Sequence, residues 1–224
     1  MKNNKKIIIC SMVILFCLIM AIVDGILKSD YAVKSAIKLA IFLGFPLLYA
    51  YFDKEVQTKH IFVLTKKGFG FALGLGLGVY AVILGGYLTL KNIFDFTAIT
   101  GALGSGVGVN RENFVFVSIY ISFANSFLEE FFFRGFAFLT LKKITTAKFA
   151  YIFSSTAFAL YHIAMMIGWF SLPVFLIVMA GLFAGGMIFN LLNDKTENIY
   201  PSWIVHMFAN FAINTVGFML FGLI

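Results

Sequence analysis

The side chains best suited to chemistry in this sequence stand in three short strings inside apolar stretches. They are Glu129-Glu-Phe-Phe-Phe-Arg134, Phe158-Ala-Leu-Tyr-His162 and His206-Met-Phe-Ala-Asn210. Carboxylates and imidazoles transfer protons near neutral pH, and side-chain amides donate hydrogen bonds to a developing negative charge. A set of this kind, brought together in space, is suited to activating water for attack on a carbonyl group.

The spacing within the first string separates its two glutamates. Consecutive residues of a helix point about 100° apart, and a carboxylate four residues before a guanidinium can pair with it along the helix. We therefore expect Glu130 and Arg134 to form a structural ion pair and the two glutamates to serve different purposes. Glu129 has no basic partner on its own helix and shares its face with Ser122, Asn125 and Ser126. This pattern predicts an unpaired carboxylate in a polar cavity, where it acts as a general base or acid.

The two histidine strings each place polar groups at helical spacing. His206 and Asn210 are four residues apart and point the same way from a helix, and the ring of Phe158 lies one turn before His162. An ionisable group inside a membrane helix is costly, so its presence indicates a functional site. The structural alternatives are a hydrogen-bonded core histidine at His162 and a helix-to-helix hydrogen bond at His206 and Asn210.

The elements that position these groups follow from an apolar composition. The chain has 224 residues, 61% of them apolar, with 29 phenylalanines and only 12% charged residues. A soluble domain carries about twice that charged fraction, whereas a bilayer solvates apolar side chains on the outside of a protein. We predict an all-α, polytopic transmembrane bundle of seven to eight helices in a single membrane domain, residues 1–224. The net charge of +7 comes from short clusters between apolar stretches, so we expect no nucleic-acid partner.

Seven apolar segments are long enough, or nearly so, to cross about 30 Å of hydrocarbon. They cover residues 7–27, 35–52, 68–90, 114–141, 148–165, 171–192 and 199–222. The first is longer than the core of a signal peptide and is interpreted as an uncleaved anchor. The glycine-rich stretch 95–113 predicts a flexible external loop. Glycines that recur every four residues predict close approach of neighbouring helices. These glycines are Gly70, Gly74, Gly78, Gly181 and Gly185.

The distribution of lysine and arginine predicts the orientation, because cytoplasmic loops retain positive charge. Eleven basic residues lie in the N-terminal tail and in the regions 53–67, 142–148 and 193–198. The five on the opposite side are Lys28, Lys34, Lys38, Lys91 and Arg111. We expect a multi-pass protein of the cell membrane with its N-terminus in the cytoplasm and its C-terminus outside.

This topology gives the depth of each candidate group. At 1.5 Å per helical residue, Glu129, His162 and Asn210 lie roughly 18 to 21 Å from the cytoplasmic end, and His206 lies roughly 12 Å from it. The depths are compatible with one site, so three helices are expected to deliver a carboxylate, two imidazoles and an amide to a shared place.

The three strings together resemble the signatures of a known family. In order along the chain they match the EExxxR, FxxxH and HxxxN motifs of the CAAX-protease and bacteriocin-processing family, also called Abi or CPBP. The resemblance covers roughly residues 125–215. We interpret 114–222 as a catalytic core and 1–113 as the variable N-terminal helices of the family. Short loops and small size are similar to the bacterial type.

The resemblance implies an intramembrane endopeptidase that cuts a membrane-associated peptide or protein. The family pattern has Glu129 activate water with help from His162. It has His206 and Asn210 stabilise the oxyanion. The supporting residues are Glu130, Arg134 and Phe158. Eukaryotic relatives cut prenylated CAAX tails, and bacterial relatives are associated with bacteriocin processing or self-immunity and with peptide pheromones.

The sequence leaves the cofactor open. Glu129, His162 and His206 are a ligand set that holds Zn²⁺ with a water in the fourth position in catalytic zinc sites, and the family is often named as metalloproteases. A metal-free water activated by glutamate and histidine fits the same residues. The His-x-x-x-Asn spacing suits an oxyanion clamp as well as it suits ligands.

Two other functions use the same features. One is a non-catalytic immunity or scaffold protein of the same fold, and the other is a proton-coupled transporter, because intramembrane glutamate and histidine also relay protons. The intact set of four site residues argues against the scaffold. The lack of an obvious repeat between the two halves gives no support to a typical transporter.

Overall fold

The computed structural model of the protein describes residues 2–27, 29–53, 56, 60–63, 66 and 68–224. Within these residues, seven helices are long and apolar enough to cross a membrane. An eighth, shorter helix, α4, lies between α3 and α5. The helices are α1 (Asn3–Leu27), α2 (Tyr31–Phe52), α3 (Phe69–Leu90), α4 (Ala98–Val107), α5 (Phe114–Ile144), α6 (Ala147–Met166), α7 (Leu172–Thr196) and α8 (Tyr200–Leu220). The predicted all-α fold and its seven membrane segments are confirmed.

Side-chain contacts gather the ends of several helices at one face of the bundle. Lys5 of α1 pairs with Asp53, just beyond α2, at 3.0 Å, and Lys6 lies 4.3 Å from the ring centroid of Phe149 at the start of α6. Lys142 near the end of α5 pairs with Asp194 near the end of α7. These are the ends that the lysine pattern places on one side, so the helices run alternately up and down. Four lysines of that pattern lie outside the described residues, namely Lys28, Lys54, Lys59 and Lys67.

The start of α2 differs from the predicted boundary because of a side-chain cap. Oδ1 of Asp30 accepts hydrogen bonds from the backbone N–H groups of Ala32 (3.0 Å) and Val33 (2.9 Å), which are otherwise unpaired at a helix start. The helix therefore begins earlier along the chain. Lys34 and Lys38, expected on the external side, both lie inside a membrane span.

The glycine-rich stretch between α3 and α5 is not the flexible loop that its composition predicts. It contains the ten-residue helix α4, which ends at Gly108 in the left-handed conformation with φ 69°. The N–H of Gly108 bonds back to the carbonyls of Gly104 and Leu103. Each glycine lowers helix propensity by roughly 1 kcal/mol relative to alanine, but a left-handed glycine is also the usual way to close a helix. The helix therefore forms despite the weak propensity and is closed by this cap.

Helix α5 forms the centre of the bundle, and residues 128–141 are all buried. It contains two π-helical segments, Ile121–Asn125 and Glu130–Phe138. Phe132 stacks on Phe42 of α2 with ring centroids 4.1 Å apart and an interplanar angle of 11°. Aromatic packing of this kind fixes α5 from several sides. Irregular turns in an otherwise helical span are frequent at functional sites.

Close helix approaches occur at glycines other than those with the four-residue spacing. A Cβ at Gly76 of α3 would lie 2.5 Å from the ring of Phe208 in α8, and one at Gly186 of α7 would lie 3.0 Å from Cα of Ser155 in α6. The predicted glycines have no described neighbour within 4 Å of such a Cβ. They are Gly70, Gly74, Gly78, Gly181 and Gly185. The four-residue spacing therefore predicts the wrong glycines for these contacts. The glycines that meet a neighbouring helix lie one or two residues away from the predicted ones.

Candidate active site

Helix α5 presents both glutamates of the first string to one histidine. Glu129 and Glu130 stand where an α-helical turn passes into a π-helical one, and both are buried. Oε1 of Glu130 lies 2.9 Å from Nδ1 of His206, and Oε2 of Glu129 lies 3.7 Å from Nε2 of the same ring. The imidazole of His206 thus has one nitrogen near each of the two carboxylates.

His162 stands at the end of the α-helical part of α6, Ala147–Tyr161. Its Nδ1 lies 2.7 Å from the backbone carbonyl of Phe158, and the Phe158 ring meets the imidazole edge-on with centroids 4.8 Å apart. Nε2 of His162 lies 3.8 Å from Oε2 of Glu129. The contact with Phe158 that the spacing suggests is therefore present, and it orients the imidazole toward the glutamate.

The partners of the two Nδ1 atoms define which nitrogen of each ring carries hydrogen. A backbone carbonyl only accepts, so Nδ1 of His162 donates to Phe158 and, in the neutral ring, Nε2 carries a lone pair. Glu130 also accepts, because it pairs with Arg134, so Nδ1 of His206 donates to it. The Nε2 atoms of both rings are thus directed at the same oxygen of Glu129.

Arg134 and Glu130 form the predicted ion pair, with Nη1 3.2 Å from Oε1 and both side chains fully buried. The guanidinium also stacks on aromatic rings, 4.0 Å from the centroid of Phe158 and 4.9 Å from that of Phe189. Cation–π contacts of this kind are strongest when desolvated. Glu130 thus links a buried arginine to His206, so it supports the site as well as the packing.

Lys38 is the site neighbour that the sequence reasoning missed. Its Nζ lies 2.5 Å from Oε1 of Glu129 and 2.5 Å from Oδ1 of Asn125, and its side chain is 3% exposed. Asn125 also donates to Oε1 of Glu129 at 3.0 Å. The prediction of an unpaired Glu129 is wrong, because its cationic partner lies on α2. The spacing of residues along α5 does not indicate a partner on another helix. The position of Lys38 inside a predicted apolar segment was the available signal.

Asn210 contacts the irregular part of α5. Its Nδ2 donates to the carbonyl of Ile121 at 3.1 Å, in the π-helical turn Ile121–Asn125. Asn214, one turn further along α8, donates to the carbonyl of Ser118 at 3.1 Å and to Oγ of Ser122 at 2.9 Å. A side-chain amide has two N–H groups. The contact with Ile121 uses one of those of Asn210.

Residues 111–212 match the model of a family described as type II CAAX prenyl endopeptidase Rce1-like. Over these residues the chain is similar to the Rce1-like family. The match supports the CAAX-protease type of intramembrane endopeptidase, the class that the three motifs resemble. A search of curated proteins and a search of solved structures each found no match.

The Rce1-like residues include every site residue expected from the sequence. Glu129, His162, His206 and Asn210 all lie between 111 and 212, on α5, α6 and α8. Lys38 lies outside this range, on α2. The helices that precede the Rce1-like residues therefore supply a charged group to the same cluster.

The donor set around Glu129 does not fit a resident metal ion. Among the described residues, no group of three histidine, cysteine, aspartate or glutamate side chains has the arrangement of a metal site. The Lys38 ammonium, 2.5 Å from Oε1 of Glu129, already neutralises the carboxylate that a metal would need. A divalent cation at this carboxylate would stand next to a fixed positive charge and be repelled by it.

Proposed function

We propose that this protein hydrolyses peptide bonds of membrane-associated peptides with a water molecule held between Glu129 and His162. One observation carries the proposal. Oε2 of Glu129 and Nε2 of His162 are both hydrogen-bond acceptors, and they face each other at 3.8 Å. The distance is too long for a direct hydrogen bond and suits a bridging molecule with two O–H donors, such as water.

A water in this position has the proton acceptors that hydrolysis requires. In the proposed first step, one O–H donates to Nε2 of His162, which orients the water, and the other O–H gives its proton to Oε2 of Glu129. The water oxygen forms a bond to the carbonyl carbon of the substrate. The proton held on Glu129 then passes to the leaving nitrogen as the C–N bond breaks. General acid–base assistance of this kind contributes about 10²- to 10⁴-fold in rate.

The remaining pair, His206 and Asn210, is proposed to stabilise the oxyanion. A carboxylate on Nδ1 stabilises an imidazolium, as in serine proteases, and Glu130 is placed to do this for His206. Nε2–H of the imidazolium then donates to the oxyanion. Asn210 adds the N–H that does not bond Ile121. Preorganised donors in a site shielded from water are effective because they need no reorganisation during the reaction.

The site's depth favours substrates that are themselves held by the membrane. Glu129 and His206 are buried within spans that a bilayer would surround, so a substrate has to approach through the membrane or from its surface. We propose that the face bearing Lys5, Lys142 and Asp194 lies in the cytoplasm, as the lysine pattern predicts. A cysteine in place of Glu112 would then react with an impermeant maleimide in intact cells, and lack of reaction would contradict this orientation.

The test is a cleavage assay with the full chain purified in a mild detergent. A farnesylated peptide ending in a CAAX sequence and the same peptide without the lipid are incubated with the protein, and products are identified by mass spectrometry. We expect hydrolysis at one peptide bond, with the lipidated peptide cut faster. The exposed Glu112→Gln variant is the matched control for changes at the buried glutamates. No cleavage of either peptide by the folded protein would favour the non-catalytic scaffold instead.

A further inference from the structure

Lys38 of α2 is a buried ammonium group that pairs with a carboxylate of α5. The side chain crosses from α2 to α5 and is 3% exposed inside a membrane span. Burying an ammonium group in hydrocarbon is costly, and such residues are rare unless they serve a function. The residue also lies outside the Rce1-like stretch 111–212, so the family match says nothing about it.

The two oxygens of the Glu129 carboxylate have different partners. Nζ of Lys38 and Nδ2 of Asn125 both approach Oε1, at 2.5 Å and 3.0 Å. The other oxygen, Oε2, faces the two histidines at 3.7 Å and 3.8 Å. One oxygen is thereby held by donors on the protein, and the second is directed at the place proposed for the water.

The rest of the Lys38 environment fixes the ammonium in place. Oδ1 of Asn125 accepts from it at 2.5 Å, and the rings of Phe42 and Tyr161 lie 5.4 Å and 5.0 Å from Nζ. Ring faces at this range attract a desolvated cation. The neighbouring Lys34, four residues earlier, has its own partner in Asp24 at 2.6 Å. The two lysines of α2 thus have separate acidic partners.

Because the two oxygens have different partners, we infer that Lys38 is a positioning residue for the hydrolytic reaction. It holds Oε1 of Glu129 so that Oε2 meets the attacking water. The inference rests on the proposed function. It gives the N-terminal helices a direct part in the site, because α2 delivers the charge that fixes the base on α5. It also predicts that loss of Lys38 lowers the rate of the chemical step and leaves substrate binding intact.

Kinetics of Lys38 variants separate positioning from folding. We expect Lys38→Met to lower kcat on the order of 10²-fold with KM within about twofold, because an interaction needed in the transition state is lost. Lys38→Arg keeps a positive charge and should retain more activity than Lys38→Met. Lys34→Met is the matched control, since it breaks a buried ion pair on the same helix without touching Glu129. Its kcat should stay near that of the unmodified protein.

Chemical rescue of kcat distinguishes a positioning role of Lys38 from a purely structural one. Lys38→Ala leaves room for n-propylammonium, which replaces the side chain from Cγ to Nζ. Added n-propylammonium should restore kcat of Lys38→Ala at least about tenfold, and 1-propanol should not, because only the charged amine stabilises the carboxylate. Thermal unfolding of each variant, compared with Lys34→Met, reports folding independently.

Three outcomes would overturn the inference. One is a Lys38→Met kcat within about threefold of the unmodified protein while Glu129→Gln is inactive, which leaves the proposed function standing. The second is an amine that restores the thermal stability of Lys38→Ala without restoring its activity. The third is full activity in Glu129→Gln, which removes the proposed function itself and with it the role of Lys38.

Discussion

Glu130 and His206 are joined by a 2.9 Å contact between Oε1 and Nδ1, on the far side of the imidazole from Glu129. The carboxylate that holds the imidazole is itself paired with the buried Arg134. Two adjacent residues of α5 therefore act on one ring from opposite ends. Glu130 orients the histidine, and Glu129 faces its reactive nitrogen. The roles of these neighbours are linked through His206. The 100° separation of consecutive residues in an ideal α-helix does not predict this link.

The link predicts the effect of Glu130→Gln. The amide keeps the shape of the side chain but removes the charge that stabilises a His206 imidazolium, so kcat should fall on the order of 10²-fold with little change in KM. Combining Glu130→Gln with His206→Ala should cost no more than His206→Ala alone, because both changes act on one proton-holding unit. The exposed Glu112→Gln serves as the control. A kcat unaffected by Glu130→Gln would leave Glu130 with the packing role alone.

Asn210 and Asn214 allow an oxyanion role to be separated from a structural one. Both are 7% exposed, lie one turn apart on α8 and donate to α5. Asn210→Ala should lower kcat about 10²- to 10³-fold, the range for loss of one oxyanion donor. Asn214→Ala should lower the unfolding temperature with a small effect on kcat. Equal losses of activity in the two variants would mean that Asn210 acts only by holding the turn at Ile121.

Chelators should leave hydrolysis unchanged. The Lys38 ammonium neutralises Glu129, and no step of the proposed reaction uses a metal ion. Peptide cleavage is measured after dialysis against EDTA and again after 1,10-phenanthroline, with elemental analysis of the purified protein. Loss of activity on chelation, followed by recovery with Zn²⁺ alone, would contradict the metal-free reaction and favour a ligand set of Glu129, His162 and His206.

A pair of adjacent glycines tests the packing of α6 against α7. A Cβ at Gly186 would lie 3.0 Å from the backbone of Ser155, whereas one at Gly185 meets nothing within 4 Å among the described residues. Gly186→Ala should reduce the free energy of unfolding by about 1–3 kcal/mol, the usual cost of overpacking. Gly185→Ala should be neutral or slightly stabilising, since alanine has the higher helix propensity. Thermal unfolding in detergent measures both, and equal unfolding temperatures would contradict the contact.

The fold and much of the cluster follow from the sequence for identifiable physical reasons. Long apolar segments can only cross a bilayer as helices, so seven segments gave seven spans. Charged and ionisable groups inside them are costly, so the sequence alone indicates Glu129, His162 and His206 as candidate site residues. The structure places Nε2 of both histidines within 4 Å of Oε2 of Glu129.

What the sequence could not provide are contacts between helices. The pairing of Lys38 with Glu129 joins residues 91 positions apart, and no periodicity along either helix encodes it. The angle between the Glu129 and Glu130 side chains around the helix axis depends on where the π-helical segment begins. The close approach at Gly76 depends on the rotation of α3 relative to α8, which tertiary packing sets. Local patterns select helices and candidate groups, and packing decides which of them meet.

The most direct test of the central claim is the rate of peptide cleavage by Glu129→Gln. Glutamine keeps the size of the side chain and can still bond Lys38 and Asn125, but it cannot take a proton from water. With the protein purified in detergent and its unfolding temperature verified, we predict that single-turnover cleavage of the lipidated peptide falls at least about 10²-fold relative to Glu112→Gln. Cleavage by Glu129→Gln at the rate of the unmodified protein would contradict the account.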